Sequence, residues 1–139
     1  MGDLREAPVL AAVAAGGVVG ALARYGLGEL APHRPGEWPL ATWVVNVSGC
    51  LLIGVLMVLV TQVWPAQRYV RPFLGVGVLG GYTTFSTAMV DVLQQVQAGH
   101  AGVALLYLGG TALAAVVAVA VGWVVTSAAV RRFRGPVGA

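Results

Sequence analysis

Four long stretches without a charged side chain constrain this chain more than any other feature of its sequence. Asp, Glu, Lys and Arg are absent from residues 7–23, 38–67, 72–90 and 92–130. A helix that crosses a lipid bilayer needs about 20 mostly apolar residues. The chain therefore has room for four membrane-spanning helices. We place them at about 8–30, 40–63, 70–96 and 103–125.

The composition excludes an ordinary soluble domain. Of the 139 residues, 58% are hydrophobic and only 9% are charged, whereas soluble domains carry about 25% charged residues. So short a chain has a large surface for its volume, and it lacks the polar side chains to cover that surface. We therefore predict an all-α membrane protein with four transmembrane helices, in which residues 1–139 form a single four-span subunit.

The sequence offers little for enzyme chemistry. The chain has one cysteine, Cys50, and two histidines, His33 and His100, which fall in expected loops. These residues provide neither a nucleophile paired with a base nor a cluster of metal ligands. We predict that the chain is not an enzyme.

The arginines predict how the chain is oriented in the membrane, because cytoplasmic segments collect Lys and Arg. An even number of spans places both termini on one side, together with the loop between the second and third spans. The opposite side holds Arg34, and Arg24 lies in or at the end of the first span. The terminal side holds Arg5, Arg68, Arg71, Arg131, Arg132 and Arg134. We predict that both termini are cytoplasmic.

The third span has an unusual sequence for a helix. Residues 75–87 include four glycines, and five of the six residues 82–87 carry a hydroxyl group. Glycine costs about 1 kcal/mol relative to alanine inside a helix. A helix break at membrane depth is tolerated where it is buried in protein or lines an aqueous cavity, and it offers carbonyls to a cation and helix N-termini to an anion. We predict a third helix broken at mid-membrane; a glycine-rich packing face is the alternative.

Polar side chains in the other spans have two interpretations each. Asn46 in the second span either lines a pore or joins two helices by hydrogen bonds. Tyr107 and Thr111 in the fourth span are four residues apart and share a helix face. Arg24 either extends to the membrane surface or lines a vestibule that attracts anions. The residues alone leave these alternatives open.

Three motifs resemble the successive signatures of the Fluc family of small bacterial fluoride-specific ion channels. They are GGVVGALARY at residues 16–25, NVSG at 46–49 and GGYTTFST at 80–87. The resemblance extends over nearly the whole chain. It implies a passive fluoride-selective channel of the bacterial plasma membrane that exports fluoride and lowers its cytoplasmic concentration. It also implies an antiparallel dimer of the dual-topology type, with two pores.

The resemblance further implies which residues form the site. A structural sodium ion, which is not transported, would bind the backbone carbonyls of Gly80 and Thr83 at the dimer centre. Independently of the resemblance, we assign Arg24 to the vestibule on the basis of its charge near a span end. The edge of the Phe85 ring, the positive part of the aromatic quadrupole, would face fluoride. The implied pore residues are Asn46, Thr84, Phe85, Ser86, Tyr107 and Thr111.

Two departures from the family pattern lead to a further hypothesis. The family usually has a second phenylalanine where this chain has Ala88, and its fourth-span hydroxyl stripe tends to extend one turn further, to the position of Ala115. The arginine bias also argues against a subunit that inserts in both orientations. The chain is therefore either a homodimeric channel subunit or one non-conducting member of a heterodimer with an oppositely oriented paralogue.

An exporter of cationic compounds is the alternative from another class of small four-span proteins. Such a proton-coupled exporter needs a carboxylate in the middle of a span. Glu29 and Asp91 lie near the ends of predicted spans. The sequence therefore favours the channel over the exporter.

Overall fold

The structure is all-helical. In this computed structural model the backbone is described for residues 3–134 and the side chains for residues 6–133. Four helical segments of this part are long and apolar enough to cross a membrane. They are Glu6–Leu30, Leu40–Val63, Arg71–Gln97 and Ala101–Phe133. This confirms the predicted all-α architecture with four helices of spanning length.

The spanning segments are built from α-helical and π-helical pieces. The α-helices are α1 (Asp3–Leu30), α2 (Leu40–Val58), α3 (Gly80–Tyr82), α4 (Phe85–Gln97) and α5 (Ala101–Arg134). Two π-helices complete them: π1 (Leu59–Val63) continues α2, and π2 (Arg71–Leu79) leads into α3. Wider turns of this kind occur most often as single-turn bulges and are frequent at functional sites. The fourth predicted span, 103–125, lies within α5, which continues nine residues beyond it.

Glycines let α1 approach the π2–α3 segment backbone to backbone. A methyl group at Gly20 would clash with the carbonyl oxygen of Val78, and one at Gly81 would clash with that of Gly17. A Cβ atom at Gly77 would lie 2.7 Å from the Val13 carbonyl oxygen. In a membrane, where lipid tails are as apolar as the helices, such close packing is a main source of helix association.

A second pair of glycines brings α2 against α5 in the same way. A methyl group at Gly54 would clash with the Val119 carbonyl oxygen, and one at Gly122 would clash with that of Leu51. The two close contacts lie on facing turns of helices that run parallel to each other. They fix the register of α5 against α2, and hence the height at which α5 presents its polar side chains.

The loop between α1 and α2 is tied to the end of α4. The Gly36 amide donates to Gln95 Oε1 at 2.6 Å, and Gln95 Nε2 donates to the Glu37 carbonyl at 2.8 Å. Gly36 has a left-handed backbone with φ of 94°, a conformation that glycine adopts without steric cost. The buried amide of Gln95 thus anchors the entry into α2.

The arrangement of the chain in a bilayer remains a prediction. The side chains of Arg5 and Arg134, which support the cytoplasmic assignment of the termini, lie outside the described residues. The depth of the break in the third spanning segment and the antiparallel dimer also remain predictions.

The glycine contacts generate a test of the fold. Gly20→Ala should lower the free energy of unfolding by about 1–3 kcal/mol, because the added methyl group forces α1 away from π2. Gly26→Ala on the same helix is the matched control, since a Cβ atom there meets nothing within 4 Å. Thermal unfolding in detergent measures both variants. Equal stability of the two would contradict the packing described above.

Candidate functional site

The candidate site is built where the helical conformation is interrupted between α3 and α4. Thr83 (φ −75°, ψ 154°) and Thr84 (φ −148°, ψ 121°) have extended backbones. The Thr83 amide and Oγ1 both donate to the Leu79 carbonyl, at 3.0 and 2.9 Å. Thr84 Oγ1 accepts from the Thr87 amide at 3.1 Å and caps α4, a position that favours threonine. The two threonines thus form hydrogen bonds with backbone groups that the interruption of the helix would otherwise leave without a partner.

Asn46 joins α2 to this interruption. Its Nδ2 donates to the Thr84 carbonyl at 2.8 Å, and its Oδ1 accepts from the Thr84 amide at 2.8 Å. One side-chain amide therefore satisfies both backbone groups of one extended residue. The contact corresponds to the helix-joining interpretation of Asn46, and Asn46 also lines the cavity described next.

A cavity of about 330 Å³ lies beside the interruption. Among its lining residues are five of the six that the sequence predicted for a pore, namely Asn46, Thr84, Phe85, Tyr107 and Thr111. The sixth, Ser86, is exposed and does not line it. Its hydroxyl lies 3.4 Å from that of Thr84. The structure thus brings together residues from α2, α4 and α5 that are far apart in sequence.

Two hydroxyl groups in this cavity form no hydrogen bond of good geometry among the described residues, although Thr42, Thr111 and Asp91 lie close to the Tyr107 hydroxyl. They are Tyr107 Oη and Thr111 Oγ1, one helical turn apart on α5. Tyr107 is only 1% exposed. Leaving a buried polar group unsatisfied costs about 1–3 kcal/mol, so such a group in a native structure points to a water or a ligand. The pair therefore marks the cavity as a place for a polar guest.

The remaining walls of the cavity are small or apolar. Ala88 and Ala115, the two positions that depart from the family pattern, both line it. Their short side chains leave space where a phenyl ring and a hydroxyl group would otherwise project. Both departures therefore fall on one cavity. The other residues in these walls include Cys50, Met89, Leu108 and Ala112.

Arg24 lines a second cavity of about 330 Å³, which also includes Glu29, Thr42 and Thr84. Because Thr84 lines both cavities, the Arg24 cavity adjoins the first one at the start of α4. The positive charge of Arg24 thus lies next to the first cavity, together with the negative charge of Glu29. The assignment of Arg24 to a vestibule stays a prediction.

Asp91 belongs to the site although the sequence analysis placed it near a span end. It is 5% exposed, and its Oδ1 lies 3.6 Å from His33 Nε2. Its carboxylate is close to the Tyr107 hydroxyl, but Oδ2 has no hydrogen-bond partner in the described part of the chain. The missed signal is helical spacing. Intervals of four, three and four residues put a buried stripe on one face of α4, formed by Thr84, Ala88, Asp91 and Gln95.

Trp38 is a further residue that the sequence analysis did not connect to the site. Its ring meets that of Tyr107 edge to face, with centroids 5.4 Å apart and planes at 78°. Trp38 directly precedes Pro39 at the start of α2, in the loop that Gln95 anchors. The loop therefore supports the buried tyrosine. No spacing rule links a loop tryptophan to a residue of the last helix, so the sequence gives no signal for this contact.

The backbone at the predicted cation ligands is open. A Cβ atom at Gly80 would meet nothing closer than the Gly75 carbonyl oxygen at 4.0 Å. Thr83 is extended, and an extended residue no longer directs its carbonyl along the helix. The described residues contain no group of three or more His, Cys, Asp or Glu side chains that could hold a metal ion. Neutral backbone oxygens are thus the donors this region offers, and they suit a hard cation.

Comparison with known proteins agrees with the motifs. The chain matches the family described as CrcB-like protein, Camphor Resistance (CrcB), over residues 11–123. A Streptomyces avermitilis protein named fluoride-specific ion channel FluC 2 is 56% identical over 106 residues, or 76% of this chain and 67% of that protein. FluC 2 of Nocardia farcinica is 51% identical over 114 residues, or 82% of this chain and 81% of that protein.

A third relative shows that related proteins occur more than once in one organism. It is a second Streptomyces avermitilis protein, named fluoride-specific ion channel FluC 3. It is 47% identical over 124 residues, which cover 89% of this chain but only 61% of that protein. The names of these relatives agree with the prediction that the chain is not an enzyme. The matches confirm the resemblance found in the motifs, and this chain belongs to the CrcB-like family, among relatives named fluoride-specific ion channels.

Proposed function

We propose that this chain is a subunit of a fluoride-selective passive ion channel that exports fluoride and lowers its cytoplasmic concentration. One observation carries the proposal: the partnerless hydroxyls of Tyr107 and Thr111 share a cavity with Asn46 and Phe85 at the interrupted helix. The names of the relatives supply the identity of the ion.

The chemistry of the cavity suits a small anion. Tyr107 and Thr111 have hydroxyl hydrogens to donate, and these replace part of the anion's hydration shell. The ring edge of Phe85 adds a weak positive potential without a charge. Conduction requires that an ion bind and also leave, so neutral donors serve better than a buried arginine. Arg24, in the adjoining cavity, attracts anions without holding them at the cavity of the hydroxyls.

The functional unit in this proposal is an antiparallel dimer with the helix interruption at mid-membrane. The exposure of Phe85 supports the dimer. Its side chain is 76% exposed, although the preceding residue, the capping residue Thr84, is buried. A second subunit covers this ring and completes the wall of the pore. The interruption supports the depth, since Thr83 and Thr84 fall in the middle of the spanning segment Arg71–Gln97.

The proposal places both termini in the cytoplasm and the subunit in the bacterial plasma membrane. Among the described side chains, Arg131 and Arg132 lie near the end of α5, and Arg68 and Arg71 lie around the connection from π1 to π2. With four antiparallel spans these two regions share one side of the membrane. The excess of arginine on that side supports the cytoplasmic assignment.

A structural sodium ion at the dimer centre is part of the proposal. Backbone carbonyls of Gly80 and Thr83 would hold it, two from each subunit. The open backbone around Gly80 and the extended conformation of Thr83 support this assignment. When bound, the ion supplies a fixed positive charge that links the two interrupted helices.

A heterodimer with an oppositely oriented paralogue is the second candidate. The observation that favours it is the position of Ala88 and Ala115, which line the same cavity and leave one pore short of two groups. The occurrence of two relatives in Streptomyces avermitilis is in line with paired subunits. In this arrangement the paralogue carries the missing groups, and this chain is its non-conducting member. No contact among the described residues favours an exporter of cationic compounds.

Reconstitution distinguishes the two candidates. Liposomes that contain the purified chain alone should release fluoride but not chloride when potassium and valinomycin balance the charge. A fluoride electrode follows the efflux. If the chain alone is silent but conducts after co-expression with a paralogue, the heterodimer is correct. Silence in both preparations would contradict the proposed function.

Removal of the Tyr107 hydroxyl separates function from stability. Tyr107→Phe should reduce fluoride efflux about tenfold, the effect of losing one hydrogen bond. Its free energy of unfolding should stay within about 1 kcal/mol of the original value, because the hydroxyl gives up a water or an ion and no hydrogen bond to the protein. Efflux assays and thermal unfolding measure the two effects.

Ser127→Ala is the matched control for this variant. Ser127 is 1% exposed, and its hydroxyl also has no partner among the described residues, but it does not line the cavity. Ser127→Ala should leave efflux unchanged, because Ser127 lies outside the cavity. A Tyr107→Phe channel that conducts at the original rate would remove Tyr107 from the pore.

The sodium proposal predicts a loss on ion exchange. When N-methylglucamine replaces all sodium, the dimer should unfold at a lower temperature, and sodium should restore the original value in a saturable manner. Unfolding temperatures measured over a sodium titration give the result. An unfolding temperature that does not respond to sodium would refute the site at Gly80 and Thr83.

A further inference from the structure

We infer that Cys50 is a covalent modification site inside the conduction cavity, at which small neutral thiosulfonates close the channel. The inference rests on the proposed function for its effect on fluoride flux. The attachment itself rests only on the position of the cysteine in the structure.

The position of Cys50 follows from the α-helical repeat. Cys50 lies four residues after Asn46, on the same face of α2. It lines the cavity together with Thr111 and Ala115 of α5. The side chain is partly exposed, and it carries the chain's one thiol group. A reagent that enters the cavity therefore meets a single reactive sulfur.

A second observation indicates that solutes reach this cavity. Tyr107 lines the same cavity, is 1% exposed and has no hydrogen-bond partner for its hydroxyl among the described residues. Buried polar groups are normally hydrogen-bonded, so this hydroxyl points to a water or an ion in the cavity. Because Cys50 and Tyr107 share the cavity, the space that supplies this partner also borders the thiol.

The cavity has room for the product. Its volume is about 330 Å³, whereas one water molecule occupies about 30 Å³ of the liquid. Ala88 and Ala115 contribute only methyl groups to the walls. A methylthio group on Cys50 therefore fits without unfolding the chain, and it occupies space beside Thr111 that the proposed ion path uses.

The chemistry is a thiol–disulfide type exchange with methyl methanethiosulfonate. The thiol proton passes to the buffer, and the thiolate attacks the divalent sulfur of the reagent's methylthio group, not the sulfonyl sulfur. A disulfide bond forms to Cys50, the reagent's sulfur–sulfur bond breaks, and methanesulfinate leaves with the electron pair. Dithiothreitol reverses the modification by exchange and releases methanethiol.

The test combines mass spectrometry with fluoride efflux from reconstituted liposomes. The folded chain should gain the mass of one methylthio group, and its efflux should fall at least tenfold and recover with dithiothreitol. In Cys50→Ala, the ratio of the rates with and without reagent should be one, whatever the variant's own rate.

Leu52→Cys in the Cys50→Ala background is the matched control. Leu52 lies on the same helix, is 48% exposed and does not line the cavity. A methylthio group there should leave efflux unchanged. Block of this control to the same degree, or block of Cys50→Ala, would overturn the inference.

Two mass-spectrometric outcomes also decide the matter. If the reagent labels the unfolded chain but not the folded one, Cys50 does not border an accessible cavity and the inference fails. If the folded chain is labelled and efflux persists, the site is outside the ion path and the inference fails as well. Labelling of a chain that conducts neither alone nor with a paralogue refutes the proposed function, and with it channel closure, while upholding the attachment site.

Discussion

The paired hydrogen bonds between Asn46 and the backbone of Thr84 are the interaction on which the site depends. An interrupted helix in apolar surroundings must find partners for the backbone groups it releases. Asn46 provides both partners from one neighbouring helix, and the Thr84 hydroxyl then caps α4. These contacts hold the cavity between α2, α4 and α5 in place, with its hydroxyl groups left free for a guest.

The glycine contacts set the distances between the helices that surround the site. Close approach of α1 to π2 and of α2 to α5 leaves no space for a side chain at Gly20 or Gly54. Rigid positioning of this kind matters because a small anion is recognised by donors at short range. The fold therefore places its tightest packing between the helices outside the cavity, and its polar groups inside the cavity.

Much of this was predictable from the sequence, and the remainder has physical reasons. Charge-free stretches predicted four spanning helices, because the bilayer imposes their length. The hydroxyl-rich motif at residues 82–87 predicted an irregular segment in the third span. Thr83 and Thr84 in this segment have extended backbones. Burial of Asp91 does not follow from the charge pattern, which places this residue near a span end; its position on the buried stripe of α4 is what buries it. The contact of Trp38 with Tyr107 depends on a loop conformation that no periodicity encodes.

The length of α5 has a mechanical consequence for the whole subunit. Its 34 residues extend over about 51 Å at a rise of 1.5 Å per residue, whereas the hydrocarbon core is about 30 Å thick. The helix must tilt, protrude or do both, and the arginines near its end anchor it at the interface. Tyr107 and Thr111 belong to this helix. A change in bilayer thickness that alters the tilt of α5 therefore also moves the two hydroxyl donors of the cavity.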